Sequence, residues 1–288
     1  MMDLLKPSLD FVFKRIFGVE ENRDILIDFL NAIFESANEP GVTEIEILNP
    51  FLDKTAVYDK QSVLDIKART ADHTIINIEI QLRDQKDMEK RTLYYWSKLY
   101  GSQLVQGEIY RSLCRTVTIN ILGFNYIDNE RYHNTFHLRE DNTGLILTDD
   151  IEIHMIELEK LRDIAEGQQR KLVRWMLFLL GPAKEKMEEI AMKEPAIQKA
   201  LTTLEFLSQD KEIRELYEAR QKALHDWNSS IHGAREDGIE EGKAIGKQEG
   251  KIEVAMHMLS KGMSRQDVAT FTGLSVTEIE QLQRRQTQ

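Results

Sequence analysis

The sequence predicts an α/β domain followed by an α-helical C-terminal region, and three observations carry that prediction. Two Ile- and Val-rich runs, Ser62 to Arg69 and Thr74 to Leu82, are separated only by Thr70 to His73, which reads as a β-hairpin. Helical spacing flanks them: Leu26, Ile27, Leu30, Ile33 and Phe34 recur on one face before the hairpin, and an aromatic-rich segment follows it from Lys86 to Val105. Beyond Leu161 the strand pattern stops, and charged helical segments run to the C-terminus with breaks near Gly181-Pro182 and Glu194-Pro195.

Each element has a local signal. Ser8 is an N-cap candidate for a helix to Ile16, which Gly18 can end, and a second helix covers Arg23 to Phe34. Glu39-Pro40-Gly41 is a turn, and Val42 to Leu48 reads as a strand stopped by Asn49-Pro50. After the hairpin and its helix come a strand from Arg115 to Phe124 and a strand-rich stretch from Phe136 to Leu158, with a turn near Asp141 to Gly144. We divide the chain at this pattern change into 1–159, a helical domain at 160–230, and a tail at 231–288. In the tail, Gly233, Gly238, Gly242, Gly246 and Gly250 recur at steps of four or five, either a helix whose small residues admit a partner helix or a fraying linker. Val254 to Lys261, Ser264 to Thr270 and Ser275 to Leu282 read as three short helices, with capping boxes at Ser264/Asp267 and Ser275/Glu278.

Composition narrows the function. With 41% apolar residues in 288, the chain can build an ordinary globular core. Its longest apolar stretch, Leu172 to Leu180, is far short of the roughly 20 residues that cross a bilayer. No export signal is read at the N-terminus, so a cytoplasmic protein without a membrane partner is expected. The single cysteine, Cys114, excludes an intrachain disulfide and a cysteine-rich zinc site. A formal charge of -11 argues against nonspecific coating of nucleic acid. It leaves room for a nuclease, because metal ions supply local positive charge at the scissile phosphate.

The two faces of the hairpin differ once side chains are sorted by the period of two. Leu64, Ile66, Ala68, Ile76, Ile78, Ile80 and Leu82 form an apolar face. The other face carries Val63, Asp65 and Lys67 on the first strand, and Ile75, Asn77, Glu79 and Gln81 on the second. A three-residue loop at 71–73 pairs Thr70 with Thr74, which sets Asp65 opposite Glu79, Lys67 opposite Asn77 and Val63 opposite Gln81. Opposed Cβ atoms lie about 4.5–5.5 Å apart, so the two carboxylates repel unless a cation, proton or basic group lies between them. Such an oxygen-rich pocket suits Mg²⁺. Periodicity alone equally allows a solvated face on which Asp65 pairs with Lys67 or an outside residue.

Further motifs carry a family resemblance. Leu64-Asp65-Ile66 with its spacing to Ile78-Glu79-Ile80-Gln81, the opening Leu9-Asp10-Phe11-Val12-Phe13-Lys14-Arg15-Ile16-Phe17-Gly18, and Tyr94-Tyr95-Trp96-Ser97-Lys98-Leu99-Tyr100 resemble the Rpn family of recombination-promoting nucleases and transposases. The likeness covers about residues 5 to 160, with the glycine-spaced helix and Lys-Gly-Met-Ser segment of the tail. It implies a PD-(D/E)XK restriction-endonuclease-like core, a mixed sheet flanked by helices, and a Mg²⁺-dependent DNA endonuclease acting in recombination or transposition. Asp65 then matches the first metal-binding aspartate, Glu79 the acidic residue of the second motif, and the main-chain carbonyl of Ile80 an additional ligand. Gln81 replaces the final lysine of the signature, as the family often has it, and cannot act as a cation or general base. Lys67 either takes over that cationic role or forms a salt bridge.

Asp10 and Lys14, four apart on the first helix, are either a surface pair or part of the site lining. Arg91 and Tyr95, four apart after the hairpin, either orient phosphate or serve packing and a solvated face. His73, His133, His137 and His154 show no metal-ligand clustering beyond strand spacing, so no zinc site is expected. A competing reading is a catalytically decayed DNA-binding or assembly protein that uses its C-terminal helices for homo-oligomerisation or as a helix-turn-helix. Asp267, Glu278 and Glu280 against Arg265 make that segment electrostatically poor for major-groove docking.

Overall fold

The computed structural model describes residues 3–48, 65–84, 86–161 and 170–286. Helices α1 (Asp10–Phe17) and α2 (Arg23–Ala37) precede strands β1 (Ile45–Leu48), β2 (Ile66–Thr70) and β3 (Ile75–Gln81). Helix α3 (Met88–Gly101) leads to β4 (Thr116–Leu122), β5 (His133–His137) and β6 (Ile151–Glu157). The six strands form one mixed sheet in the order β1-β2-β3-β4-β6-β5. Strands β1, β2 and β3 run antiparallel, β3, β4 and β6 parallel, and β5 antiparallel to β6. The element order and the mixed sheet agree with the fold that the sequence predicts. The expected start of the first hairpin strand, including Val63 and Leu64, lies outside the described residues, as do Asn49 and Pro50.

The hairpin register is the one that the three-residue loop dictates: Ile66 pairs with Ile78, Lys67 with Asn77 and Ala68 with Ile76. Its turn is fastened by one carboxylate. Asp72 accepts hydrogen bonds from the hydroxyls of Thr70 and, at 3.2 Å, Thr74. The Thr70 hydrogen bond is the main reason that Asp72 stays below the usual carboxylate range. Thr70 N–H donates to the Thr74 carbonyl at 3.0 Å, and His73 closes the turn in the left-handed region at φ 66°.

Strand β3 is buried along both faces. On one side Ile76, Ile78 and Ile80 lie beside Val117, Ile119 and Ile121 of β4, and this face meets α1 and α2, where Gly18 approaches Ile66 and Phe34 packs edge-on against His154. On the other side lies α3: Trp96 donates to the Thr116 carbonyl at 2.9 Å, and Thr92 accepts from Asn120 at 2.9 Å. The face that alternation presents as polar is therefore covered, with Asn77 and Glu79 buried beneath a helix.

Helices α4 (Lys171–Leu180), α5 (Lys184–Ala191) and α6 (Pro195–Gln209) complete the first of two compact units, residues 1–215. Trp175 of α4 enters an aromatic cluster with Phe17 at 5.4 Å and Phe29 at 5.5 Å, while its indole N–H reaches Asp28 at 2.9 Å. Helix α7 (Lys211–Ser260) runs without a break through all five spaced glycines, which settles that stretch as helix rather than linker. A Cβ added at any of those glycines would meet nothing within 4 Å. In the second unit, residues 216–288, helices α8 (Arg265–Thr272) and α9 (Val276–Gln286) pack on the end of α7 around Ala255, Val268, Leu274 and Ile279. Both expected capping boxes form. Ser264 Oγ accepts from Asp267 N–H at 3.2 Å, and Ser275 N–H donates to the Glu278 carboxylate at 2.7 Å. None of the described helices is long and apolar enough to cross a membrane.

Candidate active site

The hairpin register brings Asp65, just before β2, beside Glu79 of β3. Asp65 N–H lies 3.4 Å from Glu79 Oε1, and Asp65 Oδ2 accepts from Ile80 N–H at 2.8 Å. In a strand the N–H and C=O of one residue point to the same edge, so the Ile80 carbonyl is turned toward Asp65 as well. Two cations flank the pair, one from each side of the sheet. Lys14 of α1 stands 3.1 Å from Asp65 Oδ1, and Arg91 of α3 stands 3.6 Å from Glu79 Oε2. Burial first, then the charge of Asp65, push the Glu79 carboxyl up to about 7 against the pull of Arg91.

The remaining sequence-predicted residues take these places. Lys67 is half-buried on the same strand face as Asp65, opposite Asn77. Gln81 ends β3, and its amide donates to the Arg83 carbonyl at 3.0 Å. Tyr95 is buried with Ile75 and Leu99, and the Arg91 guanidinium lies 5.1 Å above its ring, so it holds Arg91 from below while serving the core. Asp10 opens α1, one turn before Lys14.

Strand spacing conceals a second polar group on the opposite sheet face. Ser36 contacts His133 Nδ1 at 2.9 Å, His133 Nε2 contacts His154 Nδ1 at 2.9 Å, and His154 Nε2 contacts Glu152 Oε1 at 2.5 Å. Glu152 also pairs with Arg115, which reaches Glu39 at 3.1 Å. This corrects the expectation that the histidines do not cluster: Glu39, His137 and Glu152 bring potential ligand atoms within 4.8 Å of one another. Arg115 already lies between the two carboxylates, so the group is neutralised from within. The signal available in the sequence is the alternation of Glu152 and His154 with apolar Ile151, Ile153 and Met155.

The mixed sheet has helices on both faces, with Asp65 and Glu79 meeting at its β2–β3 hairpin, and the chain belongs to the PD-(D/E)XK nuclease family transposases, matched over residues 7–234. Residues 248–284, the end of α7 with α8 and α9, match the C-terminal HTH domain of the Rpn/YhgA-like nuclease family. No curated protein and no solved structure matches the chain.

The buried carboxyl gives the site a measurable pH signature. Glu79 titrates near 7 when folded, against 4.5 for the ordinary group, so between those values the folded state binds more protons and stability falls as pH rises. Glu79→Gln removes that penalty. Urea titrations at pH 5 and pH 8 should show the variant gaining on the native chain by on the order of 3 kcal/mol at the higher pH. An equal offset at both pH values would place the Glu79 titration elsewhere.

Proposed function

We propose that the chain is a Mg²⁺-dependent DNA endonuclease that hydrolyses phosphodiester bonds in recombination or transposition. The observation that carries this reading is the meeting of Asp65 with the buried Glu79 across the β2–β3 hairpin. The donor set fits a hard divalent ion: two carboxylates with the Ile80 carbonyl turned to the same side, leaving other positions for water and phosphate oxygens. When bound, the ion supplies an activated water for in-line attack and offsets charge developing on the phosphate. Asp65 and Glu79 hold that centre, and the Ile80 N–H fixes the Asp65 carboxylate. Lys67, on the same face, supplies a cation that Gln81 cannot. Gln81 contributes a neutral amide one pleat further along β3.

The test is incubation of supercoiled plasmid with the full chain in Mg²⁺, with and without EDTA. Nicking in Mg²⁺ alone supports the reading; intact plasmid in both, with the chain folded, favours a DNA-binding or assembly protein instead.

Self-association through the tail forms part of the proposal. Helix α7 carries five interior glycines, each costing roughly 1 kcal/mol relative to Ala, and among the described residues nothing lies within 4 Å of a Cβ added at any of them. Ile231, Ile239 and Ile245 are about half exposed along the same stretch. Sedimentation of the full chain should show a homo-oligomer that Gly238→Ala with Gly242→Ala weakens despite a more stable helix. A monomeric native chain at working concentrations would end the idea.

A further inference from the structure

Lys14 and Arg91 are the ion-pair partners of the carboxylates among the described residues, one cation per anion. They reach the pair from helices on opposite sheet faces, with side chains about one-third exposed while those of Asp65 and Glu79 are 12% and 6% exposed. The four side chains together carry no net charge when all are ionised. A divalent ion shared by the two carboxylates cancels their charge and releases the lysine and arginine from these two anions at the mouth of the site. Both keep a route to solvent that the carboxylates lack.

We propose that Lys14 and Arg91 are exchangeable counterions: they hold Asp65 and Glu79 until a divalent ion takes the carboxylates, and are then freed to bind the phosphates that flank the scissile bond of DNA. This inference rests on the metal-site reading above. It assigns the substrate grip to α1 and α3 and makes that grip conditional on the ion. A flanking cation that competes with the ion has the opposite signature from a residue that supports it. Removing a competitor tightens metal binding, whereas removing a supporting residue weakens it. Tyr95, beneath the Arg91 guanidinium, keeps that side chain at the site mouth when its ion pair opens.

The experiment uses the full chain, with Lys14→Met and Arg91→Met preserving the packing of the aliphatic stems, and Lys14→Gln and Arg91→Gln as a second set checked by thermal melts. Calorimetric titration with Mn²⁺ should show each variant binding the ion roughly three- to tenfold more tightly than the native chain, the gain discounted for partial exposure. Affinity for a fluorescent duplex is then measured over a salt series in EDTA and in Ca²⁺, with intact DNA verified on gels. In EDTA the native and variant salt slopes should coincide. In Ca²⁺ the slope of log K against log salt should fall by about 0.9 for each phosphate that the variant no longer neutralises. Equal or weaker Mn²⁺ binding by the variants overturns the exchange, and identical slopes in Ca²⁺ overturn the phosphate role. A native chain that binds no divalent ion overturns the metal site itself, a result distinct from either.

Discussion

Asp65→Asn should reduce metal-dependent plasmid nicking by about a thousandfold or more while the protein stays folded. The amide keeps an oxygen that can accept the Ile80 N–H, now bonded to the carboxylate at 2.8 Å, so the local hydrogen bond survives and only the charge is removed. Losing one anionic ligand leaves Glu79 as the sole carboxylate of the centre, and Mg²⁺ holds its position poorly through water and one anion. Loss of a single donor to developing charge already costs about 10²–10³-fold in other active sites, and displacement of the charge source itself should cost more. Glu79→Ala should be nearly as severe. Gln81→Ala, which removes a neutral group, should fall at or below the low end of that range. Full nicking by a folded Asp65→Asn protein would refute the assignment.

The largest effect on stability is expected on the other sheet face. Arg115→Met should destabilise the fold by about 3–5 kcal/mol, because it leaves the ionised Glu152 carboxylate in the interior without its guanidinium. Burial alone would raise that carboxyl, yet the hydrogen bonds from His154 and Arg115 hold it at about 2. Burial, followed by the repulsion of His154, lowers His133 to about 3, so it stays neutral. The contacts run in one chain from Ser36 through His133 and His154 to Glu152, whose ionised carboxylate accepts from His154 Nε2–H. Both shifts have the same sign for acid stability. The contribution of His133 is complete above its unfolded value of 6.5 and is lost as pH falls toward 3. That of Glu152 is complete above 4.5 and is lost as pH falls toward 2. Chemical denaturation of native and Arg115→Met chains from pH 8 down to pH 4 would check both the magnitude and the direction. A variant within about 1 kcal/mol of native would show that the network carries little.

The hairpin was readable in advance because side-chain alternation and a short loop leave one register compatible with an apolar face. What alternation could not show is that the remaining face is covered. Asn77 and Glu79 look like solvent-facing residues from their neighbours, and they lie buried on the face where α3 docks through Trp96 and Thr92. The pairing of Lys14 with Asp65 was equally hidden, since it joins positions 51 residues apart through the packing of α1 on the sheet. Strand β5 begins at His133, earlier than the apolar pattern suggests, because the residues before Phe136 are polar and pair with β6. Weak glycine propensity left helix and linker both open for the spaced stretch, and the short helix expected from Val254 is instead the end of the continuous α7.

The Asp72-clasped turn has a consequence for the order in which the sheet assembles. Closure of β2 on β3 needs only a three-residue loop, whereas β3 meets β4 at Ile75 and Thr116, and β4 meets β6 at Thr116 and Ile151. Loop-closure entropy favours the short connection, so the hairpin is the natural early nucleus and fixes the side-chain register before the parallel strands arrive. His73, a non-glycine residue at φ 66°, sits at the bend that must form first. His73→Gly should therefore speed refolding with little change in unfolding rate, the partition expected of a nucleus position. Stopped-flow chevrons that show the change only in the unfolding arm would place nucleation elsewhere. A slip of one residue at this turn would send every side chain of β2 to the opposite face and part Asp65 from Glu79, so the kinetics of a surface turn govern whether the two carboxylates ever meet.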